Sequence, residues 1–259
     1  MKQRIISGAI IAAITIAVVL LGGNVFKLIC ALIAIQGTRE FICAAKGKHD
    51  WKLFVVMLLT IVLIFCFNQY GLEVLLLELL TLLAICVFDE KESFTDIAVT
   101  FMMSVLLGYS LYYLNFVENH SKWLMGYIII IAYLTDVFAL FTGMKFGKHK
   151  LNERISPKKT IEGAIGGWII GGIVSLIYAF IFNFFDLGAL VIIISSICLP
   201  IISQVGDLVY SAIKRFYGIK DFSNLIPGHG GILDRLDSLT FTVTLFGIII
   251  KLFAWKNYY

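Results

Sequence analysis

The chain has 259 residues, is 60% hydrophobic and only 15% charged, and has a mean hydropathy of +0.94. A soluble globular domain is roughly 45 to 50% apolar and about 25% charged, so that class is excluded. The net charge of +4 is read through where the charges lie along a membrane chain, and nucleic acid is not an expected partner.

In chain order, apolar runs cover 5–21, 25–43, 53–67, 72–88, 97–117, 124–144, 163–182, 187–203 and 239–255. At about 20 residues per crossing, these predict an all-α polytopic membrane protein of about nine transmembrane helices. The first run follows Lys2 and Arg4 as a signal peptide would, but no A-x-A site follows it. It is read as an uncleaved span. The chain is taken as one integral-membrane domain, 1–259, with mainly hydrophobic helices in 1–120 and a catalytic half in 121–259.

With the N-terminus in the cytoplasm, 17 of the 21 Lys and Arg fall on the cytoplasmic side. Such a bias follows the positive-inside rule. The two long polar connections, 145–162 and 204–238, then both face the cytoplasm, and a polar site is expected there. The five cysteines lie in or beside apolar runs without CxxC spacing, and are read as small buried hydrophobes.

In the sixth run Asp136 is in phase with Leu140, Gly143 and Gly147. A carboxylate inside a span is a functional candidate. The stretch Gly143 to His149 has GxxxGK spacing, one residue short of a P-loop and with no Ser or Thr after the lysine, so a Walker site is rejected. Ser156-Pro157-Lys158-Lys159-Thr160 gives a constrained turn with two ammonium groups; positive-inside bias and phosphate binding both account for them. Gly163, Gly167 and Gly171 form a small-residue ridge, serving either intramolecular packing or a dimer seam. Glu73 and Glu78 in the fourth run are open to structural or functional readings.

The densest polar stretch is 206–237. Asp207, Ser211 and Lys214 fall at i, i+4 and i+7, on one helical face. Asp234 and Asp237 stand three residues apart at the start of the last helix, after the chain-bending Pro227-Gly228 and Gly230-Gly231. Carboxylates among cations at the mouth of a helical bundle suit metal-assisted phosphoryl chemistry. Isolated interfacial salt bridges would not explain three acids in or beside apolar helices.

The pattern Ser211-x-Ile213-Lys214-Arg215, four residues, Lys220-Asp221-x-Ser223, then Pro227-x-His229-Gly230-Gly231-x-x-Asp234-Arg235-x-Asp237 resembles the signature of the phosphatidate cytidylyltransferases, or CDP-diacylglycerol synthases. Asp136-x-x-Ala139, Gly143-x-x-x-Gly147-Lys148 and Ile155 to Gly163 resemble a second block of that family. The resemblance implies transfer of a cytidylyl group from CTP to phosphatidic acid, with Mg²⁺ or Mn²⁺ and with a second cation left open. It implies Asp207, Asp234 and Asp237 as metal ligands, and Lys214, Arg215 and Arg235 on phosphates. Substrate binding falls to Asp136, Ser156, Lys158, Lys159, Ser211, Lys220, His229, Gly230 and Gly231.

The expected partners are CTP, phosphatidic acid and membrane lipid, with a homodimer left open. The expected location is a bacterial inner membrane, with the site facing the cytoplasm. Another lipid phosphate as acceptor is the main alternative. A CDP-alcohol phosphotransferase lacks its DGxxAR stretch here, and a secondary transporter would show inverted repeats.

Overall fold

The computed structural model describes residues 2–47 and 50–253, with the side chains of 2–6, 185 and 186 excluded. Among them are nine α-helices: α1 (Lys2–Leu21), α2 (Gly23–Lys46), α3 (Trp51–Cys66), α4 (Gly71–Phe88), α5 (Phe94–His120), α6 (Lys122–Phe146), α7 (Ile161–Ile181), α8 (Ala189–Phe216) and α9 (Leu233–Phe253). Seven are long and apolar enough to cross a bilayer, whereas α1 and α3 contribute the shorter apolar stretches Ser7–Leu21 and Trp51–Cys66. The protein is therefore a polytopic helical membrane protein.

Helix starts follow local chemistry. Asp50 accepts from the amides of Lys52 and Leu53 (3.0 and 3.2 Å) at α3, and Thr160 accepts from Gly163 N (3.1 Å) at α7. Each side chain satisfies amides that have no partner within their helix. The expected turn at 156–160 is a short antiparallel hairpin, β1 (Lys150–Asn152) with β2 (Ser156–Thr160). Asn152 Oδ1 accepts from Ile155 N at 3.1 Å and bends the chain between the strands.

The residues group into two compact units, Met1–Phe116 with Asp221–Arg235, and Val117–Lys220 with Leu236–Tyr259. In the first, Phe41, Ile42, Leu53, Met57, Ile61 and Ile64 are buried. Lys46 there pairs with Glu92 (2.9 Å) and Asp96 (2.7 Å). Glu78 is buried, while Glu73 on the same helix is exposed.

In the second unit, the ridge Gly163, Gly167 and Gly171 is buried against α6. A Cβ at Gly167 would lie 2.6 Å from the Thr135 carbonyl oxygen and 2.8 Å from Ala139 Cβ. The ridge is thus an intramolecular seam, and it fixes α6 beside the residue that precedes Asp136. Its opposite face, Ile165, Ile169, Ile173 and Ile177, is exposed. An exposed apolar face opposite a small-residue seam is the pattern of a helix solvated by lipid.

Inter-helix hydrogen bonds complete this unit. Tyr127 OH and Ser196 Oγ are 2.8 Å apart, Trp168 Nε1 donates to Ile197 O (2.9 Å), and Gln204 Nε2 donates to Ala164 O (3.1 Å). Helix α8 runs unbroken through Pro200 to Phe216, so much of the expected 204–238 connection is helical. Its 28 residues span about 42 Å, longer than the roughly 30 Å hydrocarbon layer. The polar stripe from Asp207 to Lys214 occupies its last turns.

Candidate active site

The second unit gathers charge around Asp207. Gly206, one residue earlier, is buried, and a Cβ there would lie 2.7 Å from the Asp237 carbonyl oxygen and 2.9 Å from Phe241 Cβ. A bare backbone at 206 is therefore what lets α9 lie against α8 beside Asp207. Along the α8 stripe, Ser211 Oγ donates to Asp207 Oδ1 at 3.5 Å. Lys159 Nζ, on β2, is ion-paired with Asp207 Oδ2. Lys214, one turn on, is buried.

Asp237 feels the negative charge of Asp207 and Asp136 and the positive charge of Lys214. Its Oδ1 accepts from Ser238 N (2.8 Å), while Ser238 Oγ donates to Asp136 Oδ2 (2.7 Å). Tyr210 OH lies 3.3 Å from Thr240 Oγ1, and that hydroxyl donates to Asp237 O (3.0 Å). Three carboxyl groups and two ammonium groups thus converge from α6, β2, α8 and α9. Like charges this close repel unless cations stay among them.

The first unit holds the glycine-rich loop. Gly228 and Gly230 have φ of +76° and +79°, conformations that glycine adopts without a Cβ penalty. Ile226 N donates to Gly230 O (2.8 Å) and His229 N to Ile226 O (2.9 Å), closing a tight turn. Asp234 is buried, and its Oδ2 accepts from Phe222 N and Gly231 N, both at 2.9 Å. His229 Nδ1 lies 3.2 Å from Ser7 Oγ, and that hydroxyl donates to Pro227 O at 2.9 Å.

The structure brings Asp136, Lys159, Asp207, Ser211, Lys214 and Asp237 together in one unit. It brings His229, Gly230, Gly231 and Asp234 together in the other, with Arg235 half-buried there. Ser156 pairs across the hairpin with Asn152, and Lys158 is exposed. Lys220 is exposed, and Arg215 donates from Nη1 to Ile219 O (2.7 Å) at the end of α8.

Three side chains with no individual role in the sequence pattern also hold the site together. Glu40, on α2, is buried and accepts from Ser223 Oγ (2.8 Å), Ile232 N (3.0 Å) and Leu233 N (3.0 Å). A carboxylate inside the 25–43 apolar run was the available signal. Glu162 accepts from the amides of Lys148 (3.0 Å) and His149 (3.2 Å) and contacts His149 Nδ1 (2.6 Å), anchoring the start of the hairpin. Ser238 is the third, linking Asp136 to the α9 acid.

Among the described residues, no group of three or more His, Cys, Asp or Glu is placed to hold a metal ion. Mg²⁺ commonly takes only one or two carboxylates from the protein and completes its shell with phosphate oxygens and water. The donor set Asp207 and Asp237 meets that requirement.

A family model described as the cytidylyltransferase family matches residues 2–253. The phosphatidate cytidylyltransferase of Staphylococcus haemolyticus is 32% identical over 258 residues, covering 96% of this chain and 99% of its own length. That of Staphylococcus saprophyticus is 33% identical with the same coverage. The phosphatidate cytidylyltransferase of Bacillus subtilis is 29% identical over 267 residues, covering 98% of this chain and 99% of its own.

Proposed function

The chain belongs to the cytidylyltransferase family, and on that premise we propose that it converts CTP and phosphatidic acid into CDP-diacylglycerol and pyrophosphate, a step of phospholipid biosynthesis. A phosphate oxygen of phosphatidic acid attacks the α-phosphorus of CTP. The bond from that phosphorus to the bridging oxygen of the β-phosphate breaks, and pyrophosphate leaves. Both substrates are anionic, so the work of the protein is positioning and charge neutralisation.

The observation that carries the reading is the convergence of Lys159 and Lys214 on Asp207 and Asp237. Lys214 is held in place by burial and counters phosphate charge. Lys159 shares its charge between Asp207 and a substrate phosphate. Ser211 keeps Asp207 oriented, and Asp136 does the same for the α9 start through Ser238. Arg215 and Arg235 are proposed phosphate contacts on the sequence pattern. Lys158, Lys220 and Ser156 take the supporting substrate roles that the same pattern gives them, and His229, Gly230 and Gly231 form a phosphate-facing turn.

A divalent cation, Mg²⁺ or Mn²⁺, would be held by Asp207 and Asp237 and would supply positive charge to the phosphate oxygens as negative charge moves onto pyrophosphate. Asp234 keeps the ligand place that its spacing from Asp237 on α9 gives it. The proposed topology has nine crossings with the N-terminus in the cytoplasm, supported by the distribution of Lys and Arg. Location in a bacterial inner membrane, with the site on the cytoplasmic side where CTP is, completes the reading.

The test uses two labels. Purified protein in mixed micelles with phosphatidic acid and Mg²⁺ should move label from [α-³²P]CTP into lipid and label from [γ-³²P]CTP into pyrophosphate, with EDTA abolishing both. Label from the γ position appearing in lipid would refute cytidylyl transfer. A panel of other lipid phosphates distinguishes the acceptor.

A further inference from the structure

We propose that Glu40 is a positioning residue for the reaction, holding the glycine-rich loop and the start of α9 in the conformation that serves transfer. The inference rests on the function proposed above. Glu40 lies well inside α2 and is only 2% exposed. An acid buried in this way is costly and is retained where it has work to do.

Its charge is met by hydrogen-bond donors. Oε1 accepts from Gln36 Nε2 (3.2 Å), Ser223 Oγ (2.8 Å) and Ile232 N (3.0 Å), and Oε2 accepts from Leu233 N (3.0 Å). The amides of Ile232 and Leu233 open α9, where amides lack partners within the helix and the helix dipole favours a negative charge. Glu40 therefore caps α9 from a residue 193 positions away in sequence.

Gly231 is the link from this cap to Asp234. A Cβ at Gly231 would fall 2.6 Å from the Glu40 carboxyl carbon, so only glycine lets the acid approach. The Gly231 amide in turn donates to Asp234 Oδ2 at 2.9 Å. One residue is thus pressed against one carboxylate and bonded to another. Gly37, a turn earlier on α2, makes the same kind of room for Leu233, with a Cβ there 3.2 Å from Leu233 Cδ2. The N-terminal half, which reads as hydrophobic packing, supplies the template for the loop.

The test compares Glu40→Gln, Glu40→Asp and Gly231→Ala with the full-length wild type in micelles. Glu40→Gln replaces one acceptor oxygen with a donor and opposes the amides it should accept from. Its kcat per folded molecule should fall at least about 30-fold while KM for phosphatidic acid moves by less than about threefold. Amide hydrogen exchange at 231–233 should quicken, and Glu40→Asp should recover part of the rate.

A purely structural role would reduce the yield of folded protein and leave kcat per folded molecule at the wild-type value, overturning the proposal. Unchanged exchange at 231–233 would also overturn it. Gly231→Ala keeps the acid but denies it space, so it gives the same reading if Glu40→Gln does not fold. Absence of lipid labelling in the wild type would instead refute the proposed function, which separates the two failures.

Discussion

Lys159 on β2 is ion-paired with Asp207 on α8, whereas Lys158, its neighbour in sequence, is exposed. Successive residues on a strand point to opposite faces, so the hairpin register decides which of two equivalent-looking lysines meets the acid. Lys159→Ala should lower kcat/KM by at least about 30-fold, about 2 kcal/mol. Lys158→Ala should change it by less than about threefold, the scale of an exposed charge. Steady-state kinetics with CTP and phosphatidic acid varied in turn gives both values; equal losses would contradict the division.

Asp207→Asn and Asp237→Asn preserve shape and remove charge. Each should reduce turnover by about 100-fold or more, about 2.7 kcal/mol, with normal elution and melting behaviour. The apparent Mg²⁺ requirement of any residual activity should rise. Asp234→Asn should be inactive too and, unlike the other two, should also loosen amide exchange at Phe222 and Gly231, because its Oδ2 accepts from both.

Gly206→Ala places a methyl where 2.7 Å separates it from the Asp237 carbonyl oxygen. The backbone of α9 must shift, at a cost of about 1 to 3 kcal/mol. Turnover should drop well beyond what the loss of folded protein explains, since the shift moves Asp237 relative to Asp207. Gly167→Ala, at the α6–α7 seam, should show its effect mainly as a lower melting temperature.

The pair Lys52–Asp89, 2.5 Å apart, lies at the α3 start and the α4 end. The hydrogen bond from Lys52 holds the Asp89 carboxyl below its ordinary range. A depressed acid pKa stabilises the fold above the unfolded value and loses that contribution as pH falls through the folded one. Asp89→Asn should therefore lower the melting temperature slightly near neutrality, and the difference from wild type should vanish in acid. A difference that persists at low pH would contradict the ionic account.

Legibility followed periodicity and separation in sequence. The apolar runs announced the helices, and the i, i+4, i+7 spacing of Asp207, Ser211 and Lys214 put them on one face, where the Ser211–Asp207 bond is found. The ridge at Gly163, Gly167 and Gly171 was visible, but its partner was not, because small residues serve an internal seam and a dimer seam equally well. The hairpin at 150–160 was read as a turn, since three- and five-residue polar strands carry little pattern. Glu40 stayed hidden because its meaning lies 183 residues away at Ser223. Seven of the described helices meet the length and apolarity for a crossing, and α1 and α3 add the shorter apolar stretches Ser7–Leu21 and Trp51–Cys66.

A single-turnover experiment with enzyme in excess over [α-³²P]CTP, phosphatidic acid and Mg²⁺ compares wild type with Asp207→Asn and Asp237→Asn. Wild type should transfer label to lipid stoichiometrically, and the chemical step should be slowed at least about 100-fold in each variant with CTP still bound, if Asp207 and Asp237 serve the transfer. Wild-type transfer rates in both variants would contradict it, and would remove the Asp207–Asp237 cluster from the chemistry.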